Sequence, residues 1–137
     1  MSLEILIIDD NADIRLILDE LITEAGYKTR MAANYNQALT EIDKKLPDVA
    51  IIDVKLDKGD NDGIELLSHI KKKNSDIPVI IISGHANIDM AIKSLKSGAF
   101  EFIQKPFDKD RLLNFIKRAV ENINLKNENY ILKNKLF

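Results

Sequence analysis

Val49-Ala50-Ile51-Ile52-Asp53 is a run of four apolar residues closed by a carboxylate, and its reading decides the fold. A strand with one wet face alternates apolar and polar side chains, whereas an unbroken apolar run suits a strand covered on both faces of a parallel sheet. Outward from it, the same grammar repeats. Ile5 to Ile8 ends in Asp9-Asp10, Val79 to Ile82 ends in Ser83-Gly84, and Phe100 to Ile103 leads into Lys105-Pro106. Tyr27 to Ala32 is more polar and reads as a strand near an edge. Between these runs lie segments of helical period: Ile14, Leu18, Leu21 and Ile22 up to Gly26; Asn34 to Lys45, stopped by Pro47; Ile64, Leu67 and Ile70; and Ile88, Ala91, Ile92 and Leu95 up to Gly98. A last helix starts at Asp108 as N-cap and meets no breaker before the C-terminus. The alternation predicts an α/β domain, five βα units around a parallel sheet.

Composition narrows the class. At 137 residues, with 45% hydrophobic and 31% charged residues, the chain suits one globular domain and not a disordered tail. There is no Cys, so disulfides, thiolate nucleophiles and Cys-based zinc sites are excluded, leaving His69 and His85 as the imidazoles. With 20 basic against 22 acidic residues, net −2, no global field draws the chain to nucleic acid or anionic lipid. No apolar run reaches the roughly 18 residues of a membrane span and no signal-peptide pattern opens the chain, so the expected location is the cytoplasm.

In open α/β sheets ligands bind at the carboxyl ends of the strands. Here those ends carry Asp9, Asp10, Asp53, Ser83 and Lys105. Clustered carboxylates repel one another unless a cation sits among them. A hard, oxygen-liganded ion such as Mg²⁺ fits, and an ammonium beside it is suited to phosphoryl oxygens. The chemistry this predicts is phosphoryl transfer, with a carboxylate as nucleophile giving an acyl phosphate. Asp53, alone at the end of the most apolar strand, is the candidate acceptor.

The acidic pair in Ile7-Ile8-Asp9-Asp10, the acceptor in Ile51-Ile52-Asp53-Val54, the hydroxyl in Ile82-Ser83-Gly84 and Lys105-Pro106-Phe107 together resemble the receiver domain of bacterial two-component response regulators. The resemblance spans residues 4 to about 122. It implies a CheY-like, flavodoxin-like doubly wound (βα)5 fold with strand order 2-1-3-4-5. It also implies Mg²⁺ held by Asp9, Asp10, Asp53 and the backbone carbonyl of Lys55, with Asp53 taking a phosphoryl group from a sensor histidine kinase. Ser83 would hydrogen-bond that group, Lys105 would pair with it, and Phe102 matches an aromatic switch position. Such a domain catalyses only its own phosphorylation and dephosphorylation, and is not otherwise an enzyme.

Two departures refine the reading. The common family pattern has Leu-Pro after the acceptor and a Gly eight positions on; here Leu56 is followed by Asp57, and Gly63 stands ten positions after Asp53. The longer loop is similar to that of NtrX-type members of the NtrX/NtrC class, transcriptional regulators carrying an ATPase and a DNA-binding domain. The expected organisation is a receiver over 1–122 and a helical extension over 123–137 leading to an output domain. A homodimer through the fourth and fifth helices, or through that extension, is the expected assembly. Ile116, Ile123, Tyr130 and Phe137 fall seven apart, as do Leu125 and Leu132, which a helix pair could use.

Blander readings stand beside these. Ser83 could be a helix N-cap, Phe102 plain core, His69 and His85 idle surface groups, and Lys71-Lys72-Lys73 a solvated helix end. His85 could also screen the phosphoryl group from water. A Mg²⁺-dependent phosphohydrolase would use the same carboxylates but needs a second acid/base and a cap. A nucleotide-binding module would need a Gly-rich phosphate cradle, and neither Gly-x-Gly-x-x-Gly nor a P-loop occurs.

Overall fold

A computed structural model describes residues 3–84 and 88–136. The elements run β1 (Glu4–Ile8), α1 (Ala12–Glu24), β2 (Lys28–Ala32), α2 (Tyr35–Lys44), β3 (Val49–Asp53), α3 (Asp62–Lys73), β4 (Val79–Ser83), α4 (Ile88–Lys96), β5 (Glu101–Gln104) and α5 (Lys109–Leu136). The five strands form one parallel sheet in the order β2-β1-β3-β4-β5, the expected doubly wound arrangement. No helix among the described residues is long and apolar enough to cross a membrane.

Side-chain parity explains the unbroken apolar runs. Leu6, Ile8, Ala50, Ile52, Val79 and Ile81 pack on one face of the sheet with Ala38 and Ile42 of α2 and Leu66, Leu67 and Ile70 of α3. Ile5, Ile7, Val49, Ile51, Ile80 and Ile82 pack on the other with Leu18 and Ile22 of α1 and Leu112, Ile116 and Ala119 of α5. Along residues 5–8, 49–52 and 79–82 both faces are dry, so neither parity carries a polar residue until these central strands reach their carboxyl ends. Lys28–Ala32 is an edge strand, and Lys28 and Met31 are exposed accordingly.

Three details differ from the sequence reading. The third helix starts at Asp62, not Ile64, because its first turn is set by a buried carboxylate and a glycine rather than by apolar period. Lys71 is not simply solvated: its ammonium donates to the carbonyls of Ser75 (3.1 Å) and Ile77 (2.7 Å), fixing the turn from α3 into β4. His69 pairs with Asp43 of α2 at 2.9 Å. Helix α5 continues unbroken to Leu136. Along it Ile116 and Ile123 are taken up by the domain's own core, whereas Leu125 is exposed; the expected seam positions Tyr130, Leu132 and Phe137 lie outside the described side chains. His85 likewise lies outside the described residues.

Candidate functional site

Asp9, Asp53 and Lys105 continue the parity of Ile7, Ile51 and Ile103, which all face α1 and α5. Strand alternation therefore turns them to the same side once the strands end. Asp9 is fully buried, Asp53 is 6% exposed, and Asp10, of opposite parity, is exposed. Carboxylate oxygens of Asp9, Asp10 and Asp53 lie within 4.8 Å of one another. Lys105 Nζ sits 2.8 Å from Asp9 Oδ2 and 3.2 Å from Asp53 Oδ2, its long stem bringing charge from the edge of the sheet to its centre. The Lys105-Pro106 peptide is cis.

Local structure fixes each group. Asn11 caps α1, its side chain accepting from the N–H groups of Asp13 (2.9 Å) and Ile14 (3.1 Å). Its own N–H donates to Asp9 Oδ1 at 2.9 Å, and Arg15 donates to the Asp9 carbonyl at 2.7 Å. At β3, Val54 donates to the carbonyl of Ile82 and Lys55 N–H lies 3.4 Å from Asp53 Oδ1. Helix α3 begins hard against this turn. Gly63 N–H donates to the Val54 carbonyl at 2.8 Å, and a Cβ on Gly63 would stand 2.4 Å from the Asp53 carbonyl oxygen and 2.7 Å from Val54 Cα.

Charge and burial compete at Asp53. Burial, then the charge of Asp9, push its carboxyl up to about 6, against the charge and hydrogen bond of Lys105 and the Lys55 N–H. At Lys105 burial works against the ammonium, but its contacts with Asp9 and the charges of Asp53 and Asp9 outweigh it and hold the group above its usual 10.5. Because the Asp53 carboxyl is raised from 3.8 to about 6, the fold binds the extra proton and the unfolded chain does not. Its contribution is greatest at low pH, is lost as pH rises from about 4 through about 6, and is flat above. In chelator at pH 7, Asp53→Asn is therefore expected to raise unfolding stability by about 1–2 kcal/mol, allowing for screening at the mouth of the site. It should also flatten the fall between pH 4 and 6. Equal pH slopes for the two proteins in urea melts would contradict this.

The donor set fits a hard divalent cation. Among the described residues Asp9 Oδ2 is the buried side-chain oxygen without a well-aligned hydrogen bond; the Lys105 ammonium, 2.8 Å away, is its ion-pair partner. An all-oxygen cluster with one fully buried carboxylate oxygen that lacks a well-aligned hydrogen bond suits Mg²⁺, which keeps water or phosphate in its remaining positions.

The remaining sequence candidates fall around this centre. Ser83 is 1% exposed, with Lys105 N–H donating to its carbonyl at 2.7 Å. It is not an N-cap, since α4 begins five residues later. Phe102 packs, partly buried, against the core cluster on the α2–α3 face. Lys55 extends its side chain outward to Asp60 at 3.7 Å. Sequence reasoning passed over Arg15, Asp57 and Asp62. Asp62 is 3% exposed and accepts from the N–H groups of Lys58 (2.9 Å) and Gly59 (3.0 Å). The available signal was an acidic residue directly before the glycine of a helix start.

The sequence profile of the response regulator receiver domain matches residues 5–117. An NtrX-like response regulator of Rickettsia bellii is 42% identical over 137 residues, 99% of this chain and 29% of that protein. The crystal structure of NtrX from Brucella abortus in complex with ATP superposes with a TM-score of 0.88 at 39% identity, covering 96% of this chain and 30% of that one. The beryllofluoride-activated NtrC4 receiver domain dimer gives a TM-score of 0.80 at 36% identity, covering 86% of this chain and 96% of that one. The chain thus spans under a third of the length of the first two proteins.

Proposed function

From the premise that the chain belongs to the response regulator receiver domain family, we propose that it accepts a phosphoryl group from a sensor histidine kinase on Asp53 and passes the event on to an attached transcriptional output domain. The observation that carries the reading is the Lys105 ammonium lying 2.8 Å and 3.2 Å from Asp9 and Asp53 oxygens beside a three-carboxylate cluster.

Asp9, Asp10 and Asp53, with the Lys55 carbonyl, would hold Mg²⁺, which supplies positive charge to phosphoryl oxygens and lets them approach a carboxylate. An Asp53 oxygen attacks phosphorus, the bond from phosphorus to the donor's histidine nitrogen breaks, and an acyl phosphate forms on Asp53. With its carboxyl at about 6, Asp53 is about tenfold more ionised than protonated at pH 7 and ready to attack. Lys105 pairs with the phosphoryl oxygens that arrive, and Ser83, buried at the end of β4, hydrogen-bonds one of them. Water later attacks phosphorus, the bond to the Asp53 oxygen breaks, and inorganic phosphate leaves with the carboxylate restored, so self-phosphorylation and dephosphorylation are the chemistry of the domain.

The switch runs through Ser83 and Phe102 to α4, whose Ile88, Ile92 and Leu95 are exposed on one stripe and suit a homodimer. Residues 1–122 form the receiver, and 123–137, of which 123–136 continue α5, are the linker towards the output domain in the cytoplasm. The test is transfer from an autophosphorylated sensor kinase of the same organism. Label is expected to move to the wild-type chain in Mg²⁺ and not to Asp53→Asn; transfer to both at equal rates would overturn the reading.

A further inference from the structure

The loop from Leu56 to Gly63 lacks the rigid Pro and carries two extra residues, both of which give a chain more freedom. Its path is nevertheless tied at successive residues. Tyr35 N–H at the start of α2 donates to Asp57 Oδ1 at 2.9 Å. The buried Asp62 accepts from Lys58 and Gly59, and Gly63 N–H closes on the Val54 carbonyl. Lys55 lies just ahead of these ties, between Val54 and Leu56, which are 3% and 4% exposed. The backbone at Lys55 is thus held on both sides, by the core before it and by the ties of two carboxylates after it. Neither carboxylate belongs to the group of oxygens that lie within 4.8 Å of one another.

We propose that Asp57 and Asp62 are positioning residues: they take over the stiffening role of the missing Pro, hold the Lys55 carbonyl toward Asp9, Asp10 and Asp53, and so set the affinity of the site for Mg²⁺. The proposal rests on the reading of that cluster as a Mg²⁺ site, for which the buried Asp9 Oδ2, aimed into the cluster without a well-aligned hydrogen bond, is independent support. Hydrogen bonds from N–H groups to a carboxylate are among the stronger ones. Loss of the partners that orient a ligating group costs about 10–100-fold in metal affinity.

Calorimetric titration of the full chain with MgCl₂ tests it, with circular dichroism to confirm folding. Asp62→Ala is expected to bind about tenfold more weakly, while Asp62→Asn, which keeps a carbonyl oxygen to accept the same N–H groups, stays close to wild type. Asp57→Ala and Asp57→Asn should repeat the contrast at an exposed position, and they decide the matter if Asp62→Ala does not fold. Alanine variants that bind as tightly as wild type, or asparagine variants as weak as the alanines, would overturn the proposal, the latter by showing that charge and not position matters. A wild-type chain that binds no Mg²⁺ overturns this and the reading beneath it together.

Discussion

Gly63→Ala is expected to lower unfolding stability by about 3 kcal/mol and the melting temperature by about 10 °C. The added Cβ would meet the Asp53 carbonyl oxygen at 2.4 Å, Val54 Cα at 2.7 Å and Asp53 carbonyl carbon at 3.0 Å. All three are backbone atoms and cannot rotate away as a side-chain end would. Relief requires α3 to withdraw from β3, which breaks the hydrogen bond from Gly63 N–H to the Val54 carbonyl and moves the turn carrying Asp53. Gly59→Ala is the control, since its Cβ would lie 3.8 Å from Asp62 Oδ1, an ordinary contact. Thermal melts should leave Gly59→Ala within about 0.5 kcal/mol of wild type. Similar melting of the two variants would contradict the close approach of α3 to the acceptor strand.

The second large effect is expected at Lys105. Lys105→Ala in chelator at pH 7 should cost about 3 kcal/mol, because it leaves Asp9 and Asp53 buried together without their shared cation. Without the ammonium, which pulls the Asp53 carboxyl down against burial and Asp9, that carboxyl rises further. Stability of the variant should therefore recover as pH falls and Asp53 takes up a proton. Millimolar Mg²⁺ should recover it too, by binding only the folded cluster. Denaturant melts at pH 5 and 7, each with chelator or Mg²⁺, check both routes. A deficit unchanged by pH and by Mg²⁺ would mean that Lys105 matters for packing and not for charge.

The strands and the residues at their ends were legible in the sequence for one physical reason. Every central strand is dry on both faces, so the first polar residue after each apolar run marks the sheet edge, and Asp9, Asp53 and Ser83 each hold that place. Lys105 was legible only through its motif, since a lone lysine after an edge strand is commonly solvated. The path of the long loop was not legible. The tie from Asp57 to α2 joins residues 22 apart in sequence, and no local period encodes such a contact. The start of α3 was missed by two residues because Asp62 and Gly63 follow hydrogen bonding and backbone clearance, while the apolar rhythm begins only at Ile64. The seven-residue series from Ile116 was legible as a pattern but ambiguous in purpose: its first two members serve the domain's own core.

Phosphoryl acceptance by Asp53 is tested most directly by intact-mass spectrometry of the chain after incubation with acetyl phosphate and Mg²⁺, followed by trapping and mapping of the acyl phosphate. The expected result is the mass of one added phosphoryl group, located on Asp53, dependent on Mg²⁺ and absent from Asp53→Asn. A wild-type chain that stays unmodified, or a phosphoryl group mapped to another residue at full yield, would contradict it.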